Sequence, residues 1–149
     1  MEATLNILFL CTGNTCRSPI AEGIFKEFIN QNKKLKEFTV NSVGLMASAG
    51  EKVTDNAVAV CKEYNIDISN HKAKQLTVEE LDKTDLFVCM TMSHAQALIS
   101  GDVPKEKIYV LNVNDPYGGN IDTYRECYEQ IYQQLLILAE MLARKNDKD

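Results

Sequence analysis

Leu5–Leu10 places five apolar residues in six positions, and the run stops at Cys11. It is too short for a buried helix and dense enough for a strand covered on both faces. Shortly afterwards Ser18-Pro19 has the chemistry of a helix start, with serine suited to the cap and proline to the first helical position. A two-sided strand that runs at once into a helix is the opening unit of a parallel sheet, since parallel strands need crossover connections. The rest of the chain must supply further strands beside the first and helices over both of its faces.

It has the pattern to do so. Ile20, Ile24, Phe25 and Phe28 recur at helical spacing to about Asn32, and Phe38 to Val43 reads as a second strand stopped at Gly44. A loop through Ser48–Glu51 leads to a helix over about Thr54–Asn65. Thr77-Val78-Glu79-Glu80 has the pattern of a capping box opening a short helix. Asp85–Met90 is a third strand, Ser93–Ser100 a helix and Lys107–Val113 a fourth strand. Tyr124, Tyr128, Ile131, Leu135, Leu138 and Leu142 form one apolar stripe on a final helix reaching about Arg144, with Asn146–Asp149 as a frayed tail. The alternation predicts an α/β fold, one domain over residues 1–149, with a four-stranded parallel sheet and helices on both faces. Ligands of such sheets bind beyond the carboxyl ends of the strands.

Composition narrows the function. The chain has 149 residues, 45% hydrophobic and 25% charged, which suits one soluble core rather than disorder. Its formal charge is −5, and its cations are scattered apart from Lys33, Lys34 and Lys36, so no broad basic face offers itself to nucleic acid. The apolar runs are strand-sized, which predicts no membrane span, and the N-terminus lacks the pattern of a secretory leader. Five cysteines are an odd number in strand-like and helical settings, unlike a secreted disulfide framework. The expectation is a cytoplasmic protein with reduced thiols, so a cysteine in a special setting can be chemical.

Cys11 has such a setting. Residues 11–18 read Cys-Thr-Gly-Asn-Thr-Cys-Arg-Ser, between a strand end and a helix start. Unsatisfied N–H groups and the helix dipole make a helix start attractive to oxyanions such as phosphate, and a loop wrapped there forms a nest. Gly13 is expected to permit the turn, and the planar fork of Arg17 can grip two phosphate oxygens. The same field stabilises a Cys11 thiolate, a nucleophile aimed at phosphorus, with Ser18 able to donate a hydrogen bond to its sulfur. No Gly-Lys-Ser/Thr follows, so a nucleotide triphosphate is not indicated. A cysteine and an arginine at this spacing would say little alone; the strand before them and the helix start after them give the pattern its meaning. Phosphoryl transfer to a poor leaving group also needs a proton donor. Asp115, in Asn114-Asp115-Pro116-Tyr117-Gly118-Gly119, lies just past the fourth strand at the same sheet edge.

With these motifs together, the chain resembles the low molecular weight protein tyrosine phosphatase family. CTGNTCRSPIAE, the SVG after the second strand, NHKAKQL, the CM ending the third strand and DPYGG carry the resemblance, in order and over nearly the whole chain. It implies a three-layer domain with a phosphate-binding loop after the first strand and a phosphatase that needs no cofactor and no metal. It also implies roles. Cys11 is the nucleophile and Arg17 holds the phosphoryl group. Asp115 acts first as acid and then as base against a phosphocysteine intermediate. Thr12, Gly13, Asn14, Thr15, Cys16, Arg17 and Ser18 bind phosphate. Asn14, Ser18, Ser42 and His71 brace the loop, and Cys11 and Cys16 can form a protective disulfide. Cys61, Cys89 and Cys127 read as core residues.

The substrate pocket is expected to comprise Thr15, Leu45 and Tyr117. Thr15 stands where the tyrosine-specific members carry a bulkier aliphatic residue, and Gly118 where many carry a second aromatic. CTGNTCRS with DPYGG is similar to the protein arginine phosphatase branch, so the expected substrate is phosphoarginine in protein, with phosphotyrosine as the alternative. A thiol-coupled arsenate reductase would need closely spaced downstream cysteines, and Cys61, Cys89 and Cys127 are far apart in sequence. A phosphoprotein-binding module would need neither Cys11 nor Asp115. Cys11, Cys16, His71 and His94 lack a recognised zinc spacing. The expected partners are a phosphorylated protein and an oxyanion in the loop, with neither nucleic acid nor membrane, and the chain is expected to be a monomer.

Overall fold

The structure, a computed structural model, describes residues 5–147. Four strands, β1 (Leu5–Cys11), β2 (Phe38–Gly44), β3 (Leu86–Cys89) and β4 (Ile108–Val110), form one parallel sheet in the order β2-β1-β3-β4. Five helices connect and cover it: α1 (Arg17–Gln31), α2 (Asp55–Lys62), α3 (Val78–Lys83), α4 (Met92–Ser100) and α5 (Ile121–Asp147).

The oily run of β1 takes the central position its composition demands. Ile7, Phe9 and Cys11 point into a core shared with α1, α2 and α5, while Leu8 and Leu10 point into a second core under α4. The period of two in β1 thus feeds two cores at once. Val88 and Met90 on one face, and Phe87 and Cys89 on the other, repeat this in the β3 segment. An edge-to-face series, Phe9–Phe25–Phe28–Tyr132, ties β1 through α1 to α5, with ring centroids 5.9, 6.0 and 5.6 Å apart. Cys61, Cys89 and Cys127 are buried thiols, each pushed up to about 12 by burial, as expected of core residues.

Several element bounds differ from expectation, each for a local reason. Helix α1 begins at Arg17, not Ser18, so Ser18 is no cap; the N-cap residue is Cys16, with no side-chain cap hydrogen bond. The first-turn N–H groups of α1 are therefore left to whatever the loop holds. Helix α2 stops at Lys62, ended by Asn65 at φ +62° with the Ile66 N–H on the Cys61 carbonyl. Strand β4 is short, but its ladder continues, as the Leu111 and Val113 N–H groups bond the Cys89 and Met90 carbonyls. Asn120 caps α5 by accepting from the Thr123 N–H, so the helix opens earlier than the apolar stripe. Its backbone stays helical through Asp147; of the tail expected to fray, Lys148 and Asp149 lie outside the described residues. No helix among the described residues is long and apolar enough to cross a membrane.

The strand order changes direction between β1 and β3, because β1 connects outward to β2 and the chain then returns to the other side. The loop after β1 emerges at this divide. There β2 comes unusually close: the Leu45 and Met46 N–H groups bond the Cys11 and Thr12 carbonyls at 3.0 and 2.9 Å. A Cβ on Gly44 would stand 2.4 Å from the Thr12 carbonyl oxygen, closer than backbone can yield cheaply. Gly44→Ala is expected to destabilise the fold by about 2 kcal/mol, in the range of overpacked sites, measured by urea unfolding. Gly13→Ala, whose Cβ would meet nothing nearer than Thr15 Oγ1 at 3.7 Å, is the matched control and should cost less.

Candidate active site

Residues 12–16 loop over the end of β1, and the turn is made at an unexpected residue. Asn14, not Gly13, adopts the left-handed conformation, at φ +58°. Asparagine tolerates this better than most residues, at a cost on the order of 1 kcal/mol. The cost is met by the side chain, which is wholly buried. Asn14 Nδ2 donates to Ser18 Oγ at 2.8 Å and to Ser42 Oγ at 3.0 Å. Asn14 Oδ1 accepts from the Lys74 N–H and from His71 Nε2, both at 2.9 Å. An amide offers two donors and two acceptor sites, and all four are used.

The network closes through a residue that the sequence reading passed over. Ser42 Oγ donates to Glu22 Oε1 at 2.6 Å, and Glu22 Oε1 lies 3.7 Å from His71 Nδ1. Glu22 is buried on α1 one turn beyond Ser18, and Lys26 reaches it from outside at 2.7 Å. A carboxylate at i+4 from the serine, on a face otherwise apolar, was the available signal. Burial pushes His71 below its usual value, with the Glu22 carboxylate opposing.

The braced loop presents Cys11. Its sulfur lies 2.8 Å from Ser18 Oγ and accepts the Asn14 N–H at 3.2 Å. Ser18 already accepts from Asn14, which leaves its hydrogen for the sulfur, an arrangement suited to an electron-rich thiolate. Arg17 is buried; its Nη1 donates to the Val113 carbonyl at 2.9 Å, and its Nη2 lies 3.7 Å from Asp115 Oδ2. The Arg17 guanidinium thus bridges the loop after β1 and the loop after β4. Asp115 Oδ1 accepts the Tyr117 N–H at 3.0 Å, and Gly118, at φ +84°, completes the turn in which the Gly119 N–H bonds the Pro116 carbonyl. Asp115 is half exposed, so its pairing with Arg17 is loose.

Cys11, Thr12, Gly13, Thr15, Cys16, Arg17, Asp115, Tyr117 and Glu51 line one cleft of about 210 Å³. Asn14 and Ser18 are fully buried and lie behind it rather than in its lining, so among the expected phosphate ligands they are placed to support the loop. Leu45, expected in the substrate pocket, is not part of the lining; it packs against the second core with Leu76 and Leu81. A loop residue directed by β2 into the sheet's far core cannot also face the cleft. Glu51 takes a place in the lining that no pattern in the sequence announced. Cys16 is a free thiol whose sulfur lies 3.4 Å from the Tyr124 hydroxyl.

A second brace was also missed. His94 Nδ1 accepts the Thr91 N–H at 3.2 Å, so Nε2 carries the hydrogen and donates to Thr12 Oγ1 at 3.0 Å. Thr91 and His94 form a capping box for α4, a pattern hidden by starting that helix at Ser93. Burial, followed by the nearby Arg17 charge, pushes His94 down to about 4.

Residues 6–148 match the family model described as low molecular weight phosphotyrosine protein phosphatase. The chain is 41% identical to a low molecular weight protein-tyrosine-phosphatase of Staphylococcus haemolyticus, over 85% of this chain and 92% of that one. It is 36% identical to a protein-arginine-phosphatase of Bacillus subtilis, over 94% and 98%. Among solved structures, it superposes on the arginine phosphatase of Geobacillus stearothermophilus with a TM-score of 0.87 at 30% identity, over 97% and 96% of the two chains.

Asn14→Ala loses the amide and keeps the strain, whereas Asn14→Gly loses the amide alone. Both should be destabilised by about 3 kcal/mol through orphaned buried partners, with glycine about 1 kcal/mol the better, read by urea unfolding. His94 sets a pH dependence. Its folded value of about 4 lies below its ordinary 6.5, so on acidification the unfolded chain takes up the proton first. Its effect is absent above pH 6.5 and costs up to about 3 kcal/mol as the pH falls from 6.5 to 4. His71 acts in the same direction. His94→Asn, which cannot titrate, should flatten the stability profile in that window.

Proposed function

The chain belongs to the low molecular weight phosphotyrosine protein phosphatase family, and on that premise we propose that the group it removes is phosphate from arginine. It is a low molecular weight protein phosphatase, a hydrolase acting on phosphoproteins. The observation that carries the arginine reading is the make-up of the cleft: one aromatic, Tyr117, two carboxylates, Asp115 and Glu51, and Thr15 in place of a bulky aliphatic. A phosphotyrosine ring gains from aromatic surface along its faces. A guanidinium gains from carboxylates and tolerates a polar wall. The name of the Bacillus subtilis relative, protein-arginine-phosphatase, supports the same order.

In the proposed reaction Cys11 Sγ attacks phosphorus in line with the P–N bond. The P–S bond forms as P–N breaks, and Asp115 gives its proton to the departing nitrogen, releasing arginine as guanidinium. The Asp115 carboxylate then takes a proton from water, whose oxygen attacks phosphorus, and the P–S bond breaks to return the thiolate. Arg17 and the backbone N–H groups of residues 12–17 hold the phosphoryl oxygens through both steps. Ser18 donates to the sulfur as it attacks and as it leaves. Asn14, Ser42 and His71 keep these donors in place.

The apolar stripe of α5 supports a monomer, since Tyr124, Tyr128, Ile131, Leu135 and Leu138 are buried within this chain's own core. Five free buried thiols support a reducing, cytoplasmic setting. Burial pushes the Cys61 and Cys127 thiols up to about 12, with nearby Cys127 adding to the effect on Cys61, which argues against a thiol shuttle of the reductase kind.

A competition between two peptides that differ only in the phosphorylated residue tests the reading. The wild-type protein is expected to favour phosphoarginine over phosphotyrosine in kcat/KM. Thr15→Ile should lower that ratio by about tenfold or more, equivalent to about 1.4 kcal/mol. A wild-type preference for phosphotyrosine would overturn the arginine assignment and leave the phosphatase standing. Cys11→Ser, expected to be silent on both, controls for contaminating phosphatase.

A further inference from the structure

Resting on the phosphoarginine reading, we propose that Glu51 is a specificity residue that receives the cationic guanidinium of the substrate, opposite the phosphoryl site, while Asp115 handles the proton. Glu51 lines the same cleft as Cys11, Arg17 and Asp115. Among the described residues its carboxylate makes no hydrogen bond or ion pair, whereas Asp115 is engaged with Arg17 and the Tyr117 N–H. It is thus the cleft's uncommitted negative charge. The arrangement divides the cleft by charge, with Arg17 and the loop N–H groups at the phosphoryl end and carboxylate at the outer part. A zwitterionic phosphoguanidine matches that pattern; a phosphoaryl group, with no cation of its own, does not.

The backbone carrying Glu51 is held firmly enough to position it. The Glu51 N–H bonds the Ser48 carbonyl at 3.1 Å, and the Glu51 carbonyl accepts the Ala73 N–H at 2.8 Å. Lys52 and Lys72 pair as an antiparallel bridge, and the Thr54 N–H bonds the Thr15 carbonyl at 3.0 Å. The segment 51–54 is therefore fixed both to the phosphate loop and to residues 72 and 73, between the His71 and Lys74 positions that brace Asn14. A charge on so anchored a loop restricts substrates without needing to order a mobile lid.

The experiment compares wild type, Glu51→Gln and Glu51→Asp on the phosphoarginine and phosphotyrosine forms of one peptide with neutral flanking residues. The phosphoarginine-to-phosphotyrosine ratio of kcat/KM is expected to fall about fivefold in Glu51→Gln, through KM for phosphoarginine, with Glu51→Asp retaining part of it. Added salt should lower the wild-type ratio more than that of Glu51→Gln. If wild type hydrolyses phosphoarginine and Glu51→Gln leaves the ratio within twofold, the inference falls and the substrate reading stands. If wild type does not hydrolyse phosphoarginine, both fall. A second phosphotyrosine peptide with a flanking arginine adds a third outcome that overturns it: Glu51→Gln weakens turnover of that peptide alone, so that Glu51 reads a neighbouring side chain and not the leaving group.

Discussion

A single side-chain amide holds the site together. Asn14 occupies a left-handed backbone position, and its amide meets α1 through Ser18, β2 through Ser42, and the 71–74 segment through His71 and Lys74. The strain of that conformation is on the order of 1 kcal/mol, while four satisfied bonds in a buried setting contribute more than that and would be costly to lose singly. The bonds win, so the loop is fixed before any oxyanion arrives. The orientation of the Asn14 N–H toward Cys11 follows from the same backbone turn. Three stretches of the chain, the loop with the start of α1, β2 and residues 71–74, thereby determine where one sulfur and its donors stand.

The opposite wall of the cleft follows a different physical logic. Asp115 stands 3.7 Å from Arg17, half exposed, on a turn anchored by Gly118 and Pro116. The proposed reaction asks this carboxylate to give a proton and then take one, and a tight, desolvated ion pair would oppose that. Arg17, by contrast, is buried and tied to the Val113 carbonyl, so the cation proposed to meet the phosphoryl group is fixed while the carboxylate beside it keeps its freedom. In the proposed reaction, rigidity lies where charge is received and looseness where a proton moves.

What the sequence made legible was the chemistry carried by contiguous residues. Cys11 and Arg17 fall within one loop whose flanking strand and helix have strong periodic signatures, and Asp115 sits where a strand ends beside a proline and two glycines. The four parallel strands and the buried character of Cys61, Cys89 and Cys127 follow from the same patterning. What was illegible depended on contacts across the chain. Glu22 belongs to the network only because α1 lies against Ser42 of β2. Glu51 reaches the cleft only because its loop pairs with residues 72 and 73. The left-handed turn was assigned to Gly13 on conformational freedom, but Asn14 is the residue whose side chain can hold that turn in place. Ser18 looked like a cap because serine favours that position, whereas its hydroxyl serves Cys11 and the helix start is left uncapped.

That uncapped start and the charge of the chain bear on the choice of substrate. A helix whose first N–H groups have no side-chain acceptor carries a local stabilisation deficit that a bound oxyanion removes. Yet the chain as a whole is anionic, at −5, and its cleft carries Glu51 and Asp115 on the approach. An anionic substrate therefore meets attraction at the loop N–H groups and Arg17, and repulsion from the two carboxylates of the cleft. A phosphoryl group attached to a guanidinium resolves this conflict, since its cation lies where the protein is negative and its anion where the loop is positive. A phosphoaryl group meets the same loop without that compensation and depends on the face of Tyr117, which is largely exposed. The asymmetry that discriminates between them lies in the approach to the phosphate loop, since the loop itself would hold either phosphoryl group alike.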